Sequence, residues 1–165
     1  QAQDGIWILA GLGALIILAL SVYAGILLAR LKRQTALQAE MEEAAIKKRN
    51  DKIIESVDVI AFAALKDQCD LSEAAIRLYM IMDHLQGEKR VEFDSRYPAL
   101  FELYEAVKDT PRGDARKTLK KNERMRLDFD RAKHEARLEQ TIKVELAEIL
   151  AFTGGRHIPD HILTH

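Results

Sequence analysis

The sequence predicts an all-α protein: one N-terminal transmembrane helix followed by a small cytoplasmic bundle of three to four helices. Three observations predict it. Residues 5–29 form a stretch of 25 residues without a charge. Only 3 prolines and 8 glycines interrupt 165 residues, and the rest is rich in the helix formers Ala, Leu, Glu, Lys and Arg. No segment has the alternation or β-branched density of a strand. The expected organisation is a short extracytoplasmic N-terminus (1–4), a transmembrane helix (5–29), a juxtamembrane stalk helix entering the bundle (30–66), a cytoplasmic helical domain (67–152) and a flexible tail (153–165).

The apolar segment comes first. At ~1.5 Å per residue its helix reaches roughly 37 Å, against a hydrocarbon core of ~30 Å. Trp7 and Tyr23 stand towards its ends, where amphipathic rings favour the headgroup region. A cleaved secretory signal carries bases before a shorter apolar run. Here the leading flank is "QAQD" and the bases Arg30, Lys32 and Arg33 follow the run, so cleavage is disfavoured. Those bases, with Lys47, Lys48 and Arg49, place the C-terminal side in the cytoplasm and the N-terminus outside. Ser21, Gly25 and Ala29 recur at four-residue steps, a spacing of small residues that lets two membrane helices pack.

From Leu31 to about Lys66 there is neither Pro nor Gly, and a continuous stalk helix is expected. Ile53, Val57, Ile60 and Ala64, with Ile54, Ala61 and Leu65 beside them, give its distal part a wide apolar face. The next helix is expected to start with Ser72 as N-cap, with Leu71 and Ile76 as a hydrophobic staple, and to stop at Gly87. Its Met80 and Met82 read as core filler. Pro98 suits the first turn of a further helix, whose apolar face is Leu100, Phe101, Leu103, Tyr104 and Val107. A last helix is expected from about Ala115 to Phe152, either continuous or interrupted near Asn122, with Leu138, Ile142, Leu146, Ile149 and Leu150 facing the core.

Charge is unevenly spread. The net charge is +2 over residues 1–33, −6 over 34–110 and +3 over 111–165. The basic excess peaks in "RGDARKTLKKNERMR", where Arg112, Arg116, Lys117, Lys120, Lys121, Arg124 and Arg126 face two acids. On one helix, Arg116, Lys120 and Arg124 would line up, offering a stripe to an anionic lipid surface or an acidic protein partner. Nucleic acid is disfavoured as a partner, because no aromatic residues interleave the bases. A solvated helix face explains the same residues without any partner.

Chemistry-bearing motifs are scarce. The chain has no G-x-S-x-G, no glycine-rich phosphate loop and no C-x-x-C. Asp128, Asp130 and Glu135 sit among bases, as surface pairing requires. Cys69 is the sole cysteine, so no internal disulfide forms. His157, His161 and His165 recur at four-residue steps, but Pro159 and the Gly154–Gly155 pair break the helix a metal site would need. No catalytic residue, cofactor or metal site is expected, and the protein is not expected to be an enzyme. The expected role is a non-enzymatic membrane-tethered adaptor or assembly protein. The alternative is a peripheral module that binds anionic lipid or nucleic acid through the stripe 112–126. Partners are the membrane and a protein: a larger membrane complex, or self-association.

The span, "DVIAFAAL", "QCDLSEAAIRLYMIMDHL", "YPALFELYEAV" and "PRGDARKTLKKNERMRLDFDR" together resemble a family of short gammaproteobacterial membrane proteins, catalogued as domain of unknown function 2489. The resemblance covers roughly residues 5–150 and leaves the histidine-bearing tail outside. It implies a bacterial inner membrane protein and carries no activity or site residue.

Overall fold

A computed structural model describes residues 1–154. Among them there are only helices and connections, with no strand. Six α-helices follow in order: α1 (Ala2–Leu65), α2 (Leu71–Met82), α3 (Phe93–Arg96), α4 (Pro98–Val107), α5 (Asp114–Lys117) and α6 (Lys121–Thr153). The chain divides into two units, Gln1–Ala45 and Ile46–His165. The division falls inside the segment expected to be a stalk.

The first unit is a single run of α1. Its most apolar 18-residue window has a mean hydropathy of 2.5, and none of it is buried. Helix is the natural state of such a run, since every backbone donor and acceptor is satisfied within it. Its large side chains, among them Trp7, Leu15, Leu18 and Leu28, all face outward.

The second unit has its own core. Val57, Ala61 and Ala64 from the end of α1 meet Leu78 and Met82 of α2, Leu100 and Leu103 of α4, and Ile142, Leu146 and Ile149 of α6. The apolar faces expected in α1, α4 and α6 turn to the core, with Ile53, Ile54, Ile60, Leu65, Phe101, Tyr104 and Leu150 half-buried at its edge. Tyr79 stacks on Tyr104 with ring centroids 4.0 Å apart and meets Phe93 edge-on at 5.5 Å.

Local sequence sets the ends of these helices. After α1, Asp67 adopts a left-handed φ of 58°, which Asp tolerates better than most residues. The Gln68 N–H reaches the Ala63 carbonyl at 2.8 Å and the Asp67 N–H the Ala64 carbonyl at 3.2 Å, the paired closure of a Schellman motif. Pro98 opens α4 and Gly154, with φ 81°, closes α6.

Three expectations change. The N-cap of α2 is Asp70, ahead of Ser72 in the chain. Ser72 is freed to donate its hydroxyl to Glu135 of α6 at 2.5 Å. Helix α2 ends at Met82 rather than at Gly87, which instead opens a 3-10 turn, Gly87–Lys89, with φ 66°. Met80 lies on the outer face of α2 and is exposed, while Met82 is buried: one side of the helix cannot hold both.

Candidate functional site

The residues singled out by charge gather where α5 meets α6, and they do not form one helical stripe. The interruption considered near Asn122 falls at Thr118–Lys120, with Lys120 extended at φ −63°, ψ 151°. A continuous helix would set Arg116, Lys120 and Arg124 in successive i,i+4 like-charge contacts, which destabilise a helix. The break lets Arg116 turn back to α6 and make a bidentate pair with Asp128, both bonds 2.6 Å. Hydrogen bonding from Arg116 holds the Asp128 carboxyl below the usual carboxylate range. Lys117 pairs with Asp114 at 3.3 Å. Arg124 is half-buried. Arg112, Lys120, Lys121 and Arg126 are exposed.

A cleft of about 330 Å³ opens beside this corner. Ile76 and Val107 line its apolar part, and Arg112, Arg116 and Arg131 reach it from the α5 and α6 side. Gly113, with φ 58°, makes the turn that carries Arg112 past the cleft, a conformation that strains any residue with a Cβ. All three guanidiniums are already engaged, Arg112 by donating to the Lys108 carbonyl at 3.5 Å. Arg116 holds Asp128, and Arg131 lies 3.8 Å from Asp128 and 4.0 Å from Glu135. Asp70 and Glu73 also line the cleft, so it offers no net anion trap.

Buried polar groups that the sequence does not announce hold the helical unit together. Glu145, only 5% exposed, accepts the N–H groups of Ala99 and Leu100 at 2.8 Å each. It therefore caps α4 from a helix 45 residues away, supplying acceptors for the donors a helix start leaves open. Burial pushes the Glu145 carboxyl up, and the two backbone hydrogen bonds act in the opposite direction. Its signal in the sequence is an acid set within the apolar face of Ile142, Leu146 and Ile149. Asn50 donates from its amide to the Gln86 carbonyl at 2.9 Å and accepts the Gln86 N–H at 3.1 Å, fixing the chain just before the 3-10 turn. Asp58, fully buried, accepts a hydrogen bond from the Thr153 hydroxyl and so joins α1 to the end of α6. Glu145 and Asn50 serve the fold by holding main chain, and the Asp58–Thr153 bond serves it by linking two helices.

The other sequence candidates are placed as follows. Ser21, Gly25 and Ala29 lie on one exposed line of α1. Ser21 donates to the Ile17 carbonyl at 2.7 Å, and a Cβ added at Gly25 would meet nothing within 4 Å. His157, His161 and His165 lie outside the described residues. Among the described residues no group of three or more His, Cys, Asp or Glu side chains is arranged to hold a metal ion.

Fold and site thus define a class: all-helical proteins that join one exposed, membrane-length apolar helix to a compact helical unit with buried polar clamps. The profile of a family described as "Protein of unknown function (DUF2489)" matches residues 17–149, and the chain belongs to that family. The match is narrower than the expected 5–150 and begins within the apolar run. An uncharacterised protein of Haemophilus influenzae is 40% identical over 145 residues, spanning 88% of this chain and 93% of its own. No solved structure matches.

Proposed function

We propose that the protein is a non-enzymatic adaptor or assembly protein of the bacterial inner membrane, anchored by residues 5–29 with the helical unit in the cytoplasm. One observation carries the reading. The chain joins a charge-free helical segment, residues 5–29, to a unit that completes its own core without it, and the most apolar window of that helix is exposed throughout. Such an exposed apolar surface needs a bilayer or a partner to cover it. The Haemophilus influenzae relative aligns over nearly the same extent, which supports one arrangement for both. The bases Arg30, Lys32 and Arg33 after the run support the cytoplasmic placement. Tethering then acts by concentrating the binding surface of the unit at the membrane plane.

The test is crosslinking in cells with mass spectrometry, on the intact chain and on one carrying Leu15→Asp and Leu18→Asp. The proposal expects reproducible crosslinks from the helical unit to a defined protein, lost when the anchor is disabled. Crosslinks to no protein in either form contradict it.

A second reading is supported by the bases Arg112, Lys120, Lys121 and Arg126, which are not engaged in ion pairs with α6 as Arg116 is: a module that binds anionic lipid beside its own anchor. Reversing all four to Glu in the intact chain, with a fluorophore on Cys69, reads this as energy transfer to labelled lipid headgroups. Lower transfer in anionic vesicles is expected; unchanged transfer contradicts the reading.

A further inference from the structure

We infer that the cavity where the end of α2 meets α3 and α4 is a binding site for a guanidinium group. It measures about 170 Å³, below the ~300–1,000 Å³ of sites that enclose a drug-sized molecule, so a single head group fills it. Tyr79, Phe93 and Phe101 give it aromatic walls. The Tyr79 and Phe93 rings meet at 82° with centroids 5.5 Å apart, and Phe101 is tilted 44° to Tyr79 at 5.8 Å. Ring planes set at such angles form a corner, in which a cation faces one ring while another closes its side. Asp83, Glu92 and Asp94 stand around the same cavity.

The fold leaves this corner short of positive charge. Asp83 is the C-cap of α2, and the last turn of that helix carries no base. A carboxylate is disfavoured there, because the C-terminal end of a helix already carries partial negative charge. Among the described residues neither Asp83 nor Asp94 is in an ion pair. Asp94 uses one oxygen to accept the Ser95 N–H at 2.8 Å, which leaves the other. Arg90 also lines the cavity, but its guanidinium turns to Glu92 at 3.6 Å, with the two side chains 72% and 71% exposed. The aromatic stack does take a cation at its other end: Tyr104, stacked on Tyr79, has the Lys108 Nζ 5.9 Å from its ring centroid. Among the described residues no cation of the chain stands over Tyr79, Phe93 or Phe101.

This surrounding selects guanidinium over other cations. Its flat face stacks on an aromatic ring while the N–H donors along its edge reach carboxylates at the rim. An ammonium is more strongly hydrated and has no flat face, and a quaternary ammonium has no donor. The cavity is built wholly from residues 79–101 of the helical unit, so it depends on neither the anchor nor the adaptor role. A free guanidinium compound and an arginine side chain of a partner protein offer the same head.

The experiment titrates the intact chain in maltoside micelles, its Tyr and Phe rings labelled with carbon-13, with N-acetylarginine amide. The ring signals of Tyr79, Phe93 and Phe101 are expected to shift and saturate, with an affinity at least about threefold higher than for N-acetyllysine amide. Asp83→Asn with Asp94→Asn, both at exposed positions, is expected to weaken binding about fivefold, and Phe101→Leu about threefold. The same arginine in the middle of a capped Gly/Ser pentapeptide distinguishes the sources. Binding as tight as the amide or tighter marks a protein side chain as ligand, and weaker binding marks a small molecule; both support the site. No saturable shift with either ligand overturns the inference. So do equal affinities for the arginine and lysine amides. So does an affinity left unchanged by the paired Asp substitution, or by Phe101→Leu in a folded chain.

Discussion

Glu145→Ala is the most exacting perturbation of the fold. The carboxylate makes two 2.8 Å hydrogen bonds to the Ala99 and Leu100 N–H groups while the residue is only 5% exposed. Each bond to a charged acceptor contributes ~1.5–3 kcal/mol, and each buried N–H left open costs ~1–3 kcal/mol. Removing the buried charge recovers part of this, since a desolvated carboxylate is itself unfavourable. The net expectation is a loss of about 2–4 kcal/mol, and about half of that for Glu145→Gln, which keeps one acceptor. The pH dependence has a definite sign. Burial raises the folded carboxyl above its unfolded value, so its contribution is greatest at low pH and is lost as pH rises through the raised value. Glu145→Gln abolishes that slope. Urea unfolding of the intact chain in maltoside micelles, followed by the near-ultraviolet signal of the tyrosines, measures the loss. Hydrogen exchange at Ala99 and Leu100 localises it. A Glu145→Ala variant within about 0.5 kcal/mol of the parent, with both amides still protected, refutes the capping argument.

Other consequences are open to the same treatment. Asn50→Ala removes both bonds to Gln86 and is expected to cost about 1–3 kcal/mol, with faster exchange at the Gln86 amide; parent-like exchange contradicts the clamp. Arg116→Ala should move the Asp128 carboxyl up towards the ordinary carboxylate range, measured by carbon-detected titration; an unmoved value shows that the pair does not hold Asp128. In the parent, the Asp128 contribution is present above the unfolded value and is lost as pH falls through the lowered one. Gly25→Leu meets no atom of its own chain, so unfolding of the helical unit should be unchanged. Any crosslinked dimer formed through Ser21, Gly25 and Ala29 should decline; a dimer yield equal to the parent's removes that face from consideration.

Much of the helical plan is legible in the sequence because it rests on local signals. Pro98 starts α4, and the faces built on Val57 and Ile142 repeat at helical spacing. What is not legible depends on contacts between distant residues. Nothing near Ser72 announces that Glu135 will take its hydroxyl and that Asp70 will begin the helix. An interruption near Asn122 is open to the sequence, but its place at Thr118–Lys120 follows from competition between like-charge crowding and a pairing with Asp128, 12 residues on from Arg116. Glu145 is ambiguous in sequence: an acid in an apolar face is an error in most helices, and here it is the cap of another.

The central claim is that residues 5–29 anchor a cytoplasmic helical unit. Green fluorescent protein fused to the C-terminus, followed through an alkaline wash of membranes, tests it most directly, since this reporter matures in the cytoplasm. The account predicts bright fluorescence retained in the washed membrane pellet. A dark fusion in the pellet, or bright fluorescence released to the supernatant, contradicts it.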